Sequence, residues 1–280
     1  MPVRRIFLLL LFALHSFCEV PFLEKIKQKG FVEIADQKPP AAMLDALYSQ
    51  FDALIEFLQT NPIWAQKLYI AKEHFVRSPL CKYYSTDFFG LYEESNREGK
   101  SQISFYYSTH FHAFISSRYP EFTRLPEIRP FLDTCLEIQK PYGSLLHQVA
   151  ASFDLETLVC EAPPILFKVV KYFPAYIATK PHYDGTAFSL FLDSTDDASL
   201  LLSPYKSSFT IADFSSPPRE FSHSILLIPG AHLAEFSIHP TPHIVLRPGK
   251  TRYAAIAFAM RPNYTSPKIK HAPLPIFNIE

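Results

Sequence analysis

From Pro164 onward the chain breaks into short runs of β-branched and aromatic residues, each closed by Pro, Gly, Ser or Asp. Such runs, bounded by turn formers, read as strands. They fall at 165–172, 186–192, 199–203, 207–212, 223–228, 232–237, 243–247 and 252–260. Many short strands in succession imply a sheet closed on itself or paired face to face with another, an architecture of the jelly-roll kind. A helical region precedes them. Leu44, Leu47, Tyr48, Phe51, Leu54, Ile55 and Leu58 recur at helical spacing, ended near Asn61-Pro62. Ile128 to Phe153 repeats the pattern, with Pro130 suited to the first turn and Pro141 expected to kink or split the helix. Shorter signals are a helix and strand around Gly30 and a strand at Ile103–Tyr107, after a polar, turn-rich stretch from Ser78 to Lys100. The expected fold is mainly β with N-terminal helices (α+β). Residues 19–155 would form a helical region packed outside a jelly-roll core at 156–264, with a tail at 265–280.

Lys+Arg and Asp+Glu balance at 27 each, so net charge gives no reason to expect a nucleic-acid partner. Arg4 and Arg5 precede the apolar run Ile6–Leu14, then Ser16-Phe17-Cys18. That order is the pattern of a secretory signal over residues 1–18, cleaved after Cys18. The run is too short to span a bilayer, and no second stretch is long and apolar enough. Cleavage would make the protein secreted or periplasmic; without it the chain would be cytoplasmic. Cys18, Cys81, Cys135 and Cys160 form no C-x-x-C pair, so buried free thiols are expected rather than a zinc site or a disulfide framework.

The chemistry concentrates in Pro181-His182-Tyr183-Asp184-Gly185-Thr186. In an extended segment, residues two apart project to the same side, so His182 and Asp184 would point together. Two imidazoles and a carboxylate on one face of a metal form the facial triad of non-haem Fe(II) sites. His223, His232, His239 and His243 are candidates for the third ligand. Arg252 opens the apolar run Tyr253–Phe258, and an unpaired buried charge is expensive, so it needs an anion. A carboxylate held by the guanidinium fork would serve. His110-Phe111-His112 is a second metal-like pair, but no carboxylate motif accompanies it and it reads as a surface loop.

The stretch from His182 to Pro262 resembles the core of the 2-oxoglutarate- and Fe(II)-dependent dioxygenases, in their isopenicillin-N-synthase-like branch. His182-Tyr183-Asp184 is similar to the family's H-x-D, and Leu227–Leu233 to its glycine turn. His243-Ile244-Val245 is similar to its distal histidine, and Arg252-Tyr253-Ala254 to its arginine motif. Gly30–Ile34, the helix at 44–58 and Leu145–Ala150 resemble the family's N-terminal half more loosely. The resemblance implies a double-stranded β-helix, with His182, Asp184 and His243 holding Fe(II). It implies 2-oxoglutarate anchored by Arg252, O₂ as oxidant, and a small-molecule substrate that is hydroxylated or desaturated. His239 fits the spacing to Arg252 less well. There are two departures. Ala254 replaces the serine of the arginine motif, and Lys171-Tyr172-Phe173-Pro174 stands where the family has Asn-Tyr-Tyr-Pro. Lys171 or Tyr172 would then stand in at the cosubstrate. The two losses also fit an alternative, a metal-binding module on the same fold that is exported and lacks turnover. A Ser–His hydrolase finds no G-x-S-x-G elbow.

Overall fold

The computed structural model describes residues 22–84, 86–96, 99–153, 165–174, 177–195, 199–204, 210–217, 223–246 and 250–261. The signal-like segment, Cys18, Cys160 and the 265–280 tail lie outside them. No helix among the described residues is long and apolar enough to cross a membrane.

The first half is built from α1 (Phe22–Lys29), β1 (Val32–Ile34), α2 (Ala41–Thr60), α3 (Pro62–Val76), the hairpin β2 (Gly90–Asn96) and β3 (Gly99–Tyr107), α4 (Thr109–Arg118) and α5 (Arg129–Ala151). The second half is β4 (Ile165–Tyr172), β5 (Ile177–His182), β6 (Phe188–Ser194), β7 (Leu200–Leu202), β8 (Ile225–Pro229), β9 (His243–Leu246) and β10 (Arg252–Ala259). One seven-stranded sheet runs β1-β8-β6-β10-β4-β3-β2, and a three-stranded sheet runs β5-β9-β7. Every pairing is antiparallel. This is the expected mainly β jelly-roll architecture with flanking helices.

Pairing register decides which side chains look between the sheets, because residues directly opposed across antiparallel strands share a face. Arg252 lies opposite Tyr172, Ala254 opposite both Val170 and Ser194, and Ile256 opposite Lys168. Their sequence neighbours Tyr253, Lys171 and Val169 project to the other face. That outer face is covered by helices. Tyr48 of α2 stacks on Tyr253 with centroids 5.0 Å apart, and Phe131 of α5 meets Phe105 edge-on at 5.0 Å. The buried stripe of α2 is the set read from its spacing, Leu44 to Leu58.

Several expectations are corrected. The region 19–155 is not only helical, because β1, β2 and β3 extend the large sheet at both edges. Asn61 ends α2, but Pro62 begins a second helix, α3, at the first turn where a missing N–H costs nothing. Pro141 neither splits nor ends α5. Ile138, Gln139, Tyr142, Leu145 and Leu146 are buried on both sides of it, and this packing carries the helix through the lost hydrogen bond. Residues 232–237 are not a strand: 232–236 belong to the 3₁₀ helix Ala231–Phe236, and Ser237 caps it. The described part of 207–212 leads into a 3₁₀ turn, Ile211–Asp213. His110 and His112 lie on α4 rather than a loop. Each has its Nδ1 on a tyrosine hydroxyl, Tyr84 at 2.8 Å and Tyr107 at 2.7 Å. Cys81 and Cys135 are buried free thiols, as expected.

Candidate metal centre

β5 ends at His182 and β9 begins at His243, and the two residues are register partners. Their rings therefore face each other, with centroids 4.3 Å apart. Asp184 follows two positions after His182, and its Oδ1 lies 3.8 Å from His182 Nε2 and 3.7 Å from His243 Nε2. One ligand atom from each of the three falls within 4.8 Å of the others. Metal–ligand bonds of about 2.1 Å at right angles place neighbouring donors about 3 Å apart. The observed separations exceed that by less than an ångström for two pairs, a gap that side-chain rotation closes. Two neutral imidazoles and one carboxylate on one side of a point are also the donor chemistry a ferrous ion takes while leaving positions open. The residues fit the ion.

Backbone contacts hold the aspartate in place. Ala231 N–H donates to the Asp184 carbonyl at 2.8 Å, His232 N–H to Thr186 at 3.0 Å, and Gly230 N–H to Ala187 at 2.9 Å. A Cβ at Gly230 would lie 2.2 Å from the Thr186 carbonyl oxygen, so only glycine permits this approach. Ser189 Oγ donates to Asp184 Oδ2 at 2.7 Å, which leaves Oδ1 facing the imidazoles. His243 is buried, and its Nδ1 meets the Thr241 carbonyl at 3.2 Å. A carbonyl only accepts, so Nδ1 carries the proton and Nε2 is left as the ligand atom. Burial opposes ionisation of Asp184, but His243, His182, Ser189 and Lys168 together outweigh it. The carboxyl stays below its ordinary range.

Of the remaining sequence candidates, Arg252 is almost wholly buried on the inner face. Its Nη1 donates to Ser194 Oγ at 2.8 Å, and its guanidinium lies 4.5 Å from the centre of the Tyr172 ring. Tyr172 thus lies against Arg252 on the inner face. Lys171 does not. It points to the helix side, where its ammonium pairs with Asp52 at 2.7 Å. The strand's alternation, not the residue type, decides this. His239 is exposed and stands outside the triad. His232 is buried beside the glycine turn and also takes no part in it. Burial, aided by Arg261, lowers its pKa to about 4. Sequence reading missed Ser194 and Lys168, both on the inner face. Neither has a local motif; cross-strand pairing brings Ser194 to Arg252 and sets Lys168 elsewhere on the same wall.

No family model and no curated protein matches the sequence. Solved structures do match its shape. One is an oxygenase from Shewanella oneidensis, with a TM-score of 0.55 at 15% identity over 86% of this chain and 85% of that one. Another is AtDAO1, the dioxygenase for auxin oxidation 1 of Arabidopsis thaliana, in its 2-oxoglutarate complex. Its TM-score is 0.53 at 14% identity, over 86% of each chain. A third is JOX2 in complex with 2-oxoglutarate, Fe and JA, with a TM-score of 0.53 at 14% identity, over 85% of this chain and 69% of that one. The fold is that of the 2-oxoglutarate- and Fe(II)-dependent oxygenases. At such identities the likeness concerns the oxygenase fold, and the chemistry rests on this chain's own residues.

Proposed function

We propose that the protein is a non-haem Fe(II)- and 2-oxoglutarate-dependent oxygenase that hydroxylates or desaturates a small organic substrate. The observation that carries this reading is the convergence of His182, Asp184 and His243 at the seam of the two sheets. Nε2 of both histidines and the Asp184 carboxylate would hold the metal. Fe(II) held there would, with 2-oxoglutarate and O₂, supply the oxidising power for unactivated C–H bonds.

The rest of the site is the work of this chain's side chains. Arg252 would hold the distal carboxylate of 2-oxoglutarate, and the Tyr172 ring beside its guanidinium restricts its orientation. The hydroxyl lost at Ala254 is restored from across the sheet. Ser194 is the register partner of Ala254, and its hydroxyl already lies against the Arg252 guanidinium. Nor does Phe173 mark a loss. Tyr172, one residue earlier, is the aromatic that faces Arg252, while Phe173 lies by Lys171. These two substitutions, with the export signal, were the sequence grounds for an inert binding module, and neither substitution empties the cosubstrate cradle.

Purified protein incubated with Fe(II), ascorbate and 2-oxoglutarate should release succinate, and Asp184→Ala should abolish both release and Fe(II) uptake. Wild-type protein that takes up neither Fe(II) nor 2-oxoglutarate would defeat the proposal.

A further inference from the structure

Lys168 belongs neither to the metal triad nor to the cradle around Arg252, yet it stands on the same wall. It lies in mid-β4, directly opposite Tyr106 on β3 and Ile256 on β10. Four residues separate it from Tyr172, so the two-residue period of the strand places both on the inner face. The same count puts the Lys168 backbone about 13 Å along the strand from the Tyr172–Arg252 pair, although the Tyr172 side chain still reaches the lysine's charge. Its ammonium sits over the Tyr106 ring, 5.3 Å from the centre.

Unlike Lys171, it forms no ion pair with a carboxylate among the described residues. The acidic groups that sense it are Glu94, at longer range, and Asp184. Burial works against its charge, but Tyr106 and Tyr172 more than compensate, and the amine stays protonated. A partly buried ammonium among rings is a site for an anion from outside the chain.

The surroundings say what kind of anion. Tyr106 packs against Tyr92 at 5.5 Å and against Phe88 at 5.4 Å, and those two meet at 5.2 Å. Phe88 is 47% exposed, so this aromatic group opens to solvent. An aromatic bed beside one fixed cation suits a molecule with an apolar body and an acidic end.

We propose that Lys168 binds the carboxylate of the prime substrate, an organic acid whose apolar body rests on Phe88, Tyr92 and Tyr106. This deepens the oxygenase reading and rests on it. Arg252 serves the cosubstrate, and Lys168 serves the molecule to be oxidised.

The test is calorimetric titration of anaerobic Fe(II)-loaded protein, first with 2-oxoglutarate, then with 4-phenylbutyrate or its neutral amide. Wild type should bind the acid about tenfold more tightly than the amide, as a charge-assisted contact implies. Lys168→Met should erase that preference while leaving 2-oxoglutarate affinity within about twofold, and Lys168→Arg should keep it. Should Lys168→Met not fold, Lys168→Gln carries the same expectation. Equal binding of acid and amide, or binding of neither, overturns the proposal. So does loss of 2-oxoglutarate affinity in Lys168→Met, which would assign the residue to the cosubstrate. Failure of wild type in the first titration instead overturns the oxygenase reading, before either probe is added.

Discussion

The two faces of the large sheet handle charge in opposite ways. On the helix side each charged group of the central strands has a partner from within the protein. Lys171 pairs with Asp52, which also accepts from the Tyr253 hydroxyl. Asp193 pairs with Lys38 at 2.6 Å and accepts from the Tyr48 hydroxyl at 2.6 Å. On the inner face, Arg252 and Lys168 meet hydroxyls and aromatic rings, and among the described residues no carboxylate pairs with Lys168. The outer charges fasten α2 to the sheet. The inner ones face the space between the sheets, Arg252 against Ser194 and Tyr172 and Lys168 over Tyr106. Adjacent residues on one strand, Lys171 and its neighbour Tyr172, therefore face opposite sides of the sheet.

The strongest challenge to this division is Arg252→Met. If the inner cation exists for 2-oxoglutarate, its loss removes two charge-assisted hydrogen bonds at about 1.5–3 kcal/mol each. Calorimetry should show affinity falling by a hundredfold or more on that basis. A change of less than about threefold would move Arg252 to the structural side of the comparison.

The seam between the sheets provides a second test, through pH. His232 is buried, and its folded pKa is lowered from 6.5 to about 4. Below pH 6.5 the unfolded chain takes up a proton that the folded chain refuses, so stability is full above 6.5 and falls as pH drops towards 4. Below pH 4 both states are protonated and this loss stops growing. A shift of that size corresponds to on the order of 3 kcal/mol. Denaturant melts of wild type and His232→Gln from pH 7 to 4 should converge as pH falls. Parallel curves would show that His232 is not buried in its neutral form.

Ser194 sharpens the inner half of the comparison at smaller cost. Ser194→Ala should weaken 2-oxoglutarate binding about tenfold, the worth of one hydrogen bond to a charged group. Ala254→Ser placed on that background should recover most of it, since the two positions face each other across β6 and β10. A purely structural serine would show no such rescue.

Much of this site is legible in the sequence because its signals are local. H-x-D is a short, recognisable spacing even though β5 ends at His182 and Asp184 lies beyond it, His243 and Arg252 each open an apolar run, and β4 at 165–172 has the bounds its composition suggests. What is not legible depends on pairing between distant strands. Lys171 and Lys168 are equally plausible as sequence, and only the register with Arg252 separates them. Ser194 serves the site through a partner 58 residues away, a relation no spacing rule contains. The short strand β5 hides its pattern behind Lys180 and Pro181. The stretch at 232–237 looks like strand but turns as 3₁₀ helix, its entry tied down where Ala231 and His232 N–H donate to Asp184 and Thr186.

The smallest expected effect is the one that isolates the outer face. Lys171→Met and Asp52→Asn each break an ion pair whose lysine is 19% exposed and whose aspartate is 43% exposed, so solvent screens it heavily. Each single change should cost about 1 kcal/mol or less in denaturant melts. The double variant should cost little more than either alone, because the pair is lost in both. Neither change should move 2-oxoglutarate affinity, since Lys171 projects away from Arg252. If Lys171→Met does weaken 2-oxoglutarate binding while Asp52→Asn does not, the lysine reaches the inner face, and the register separating the two sides of the sheet is wrong at β4.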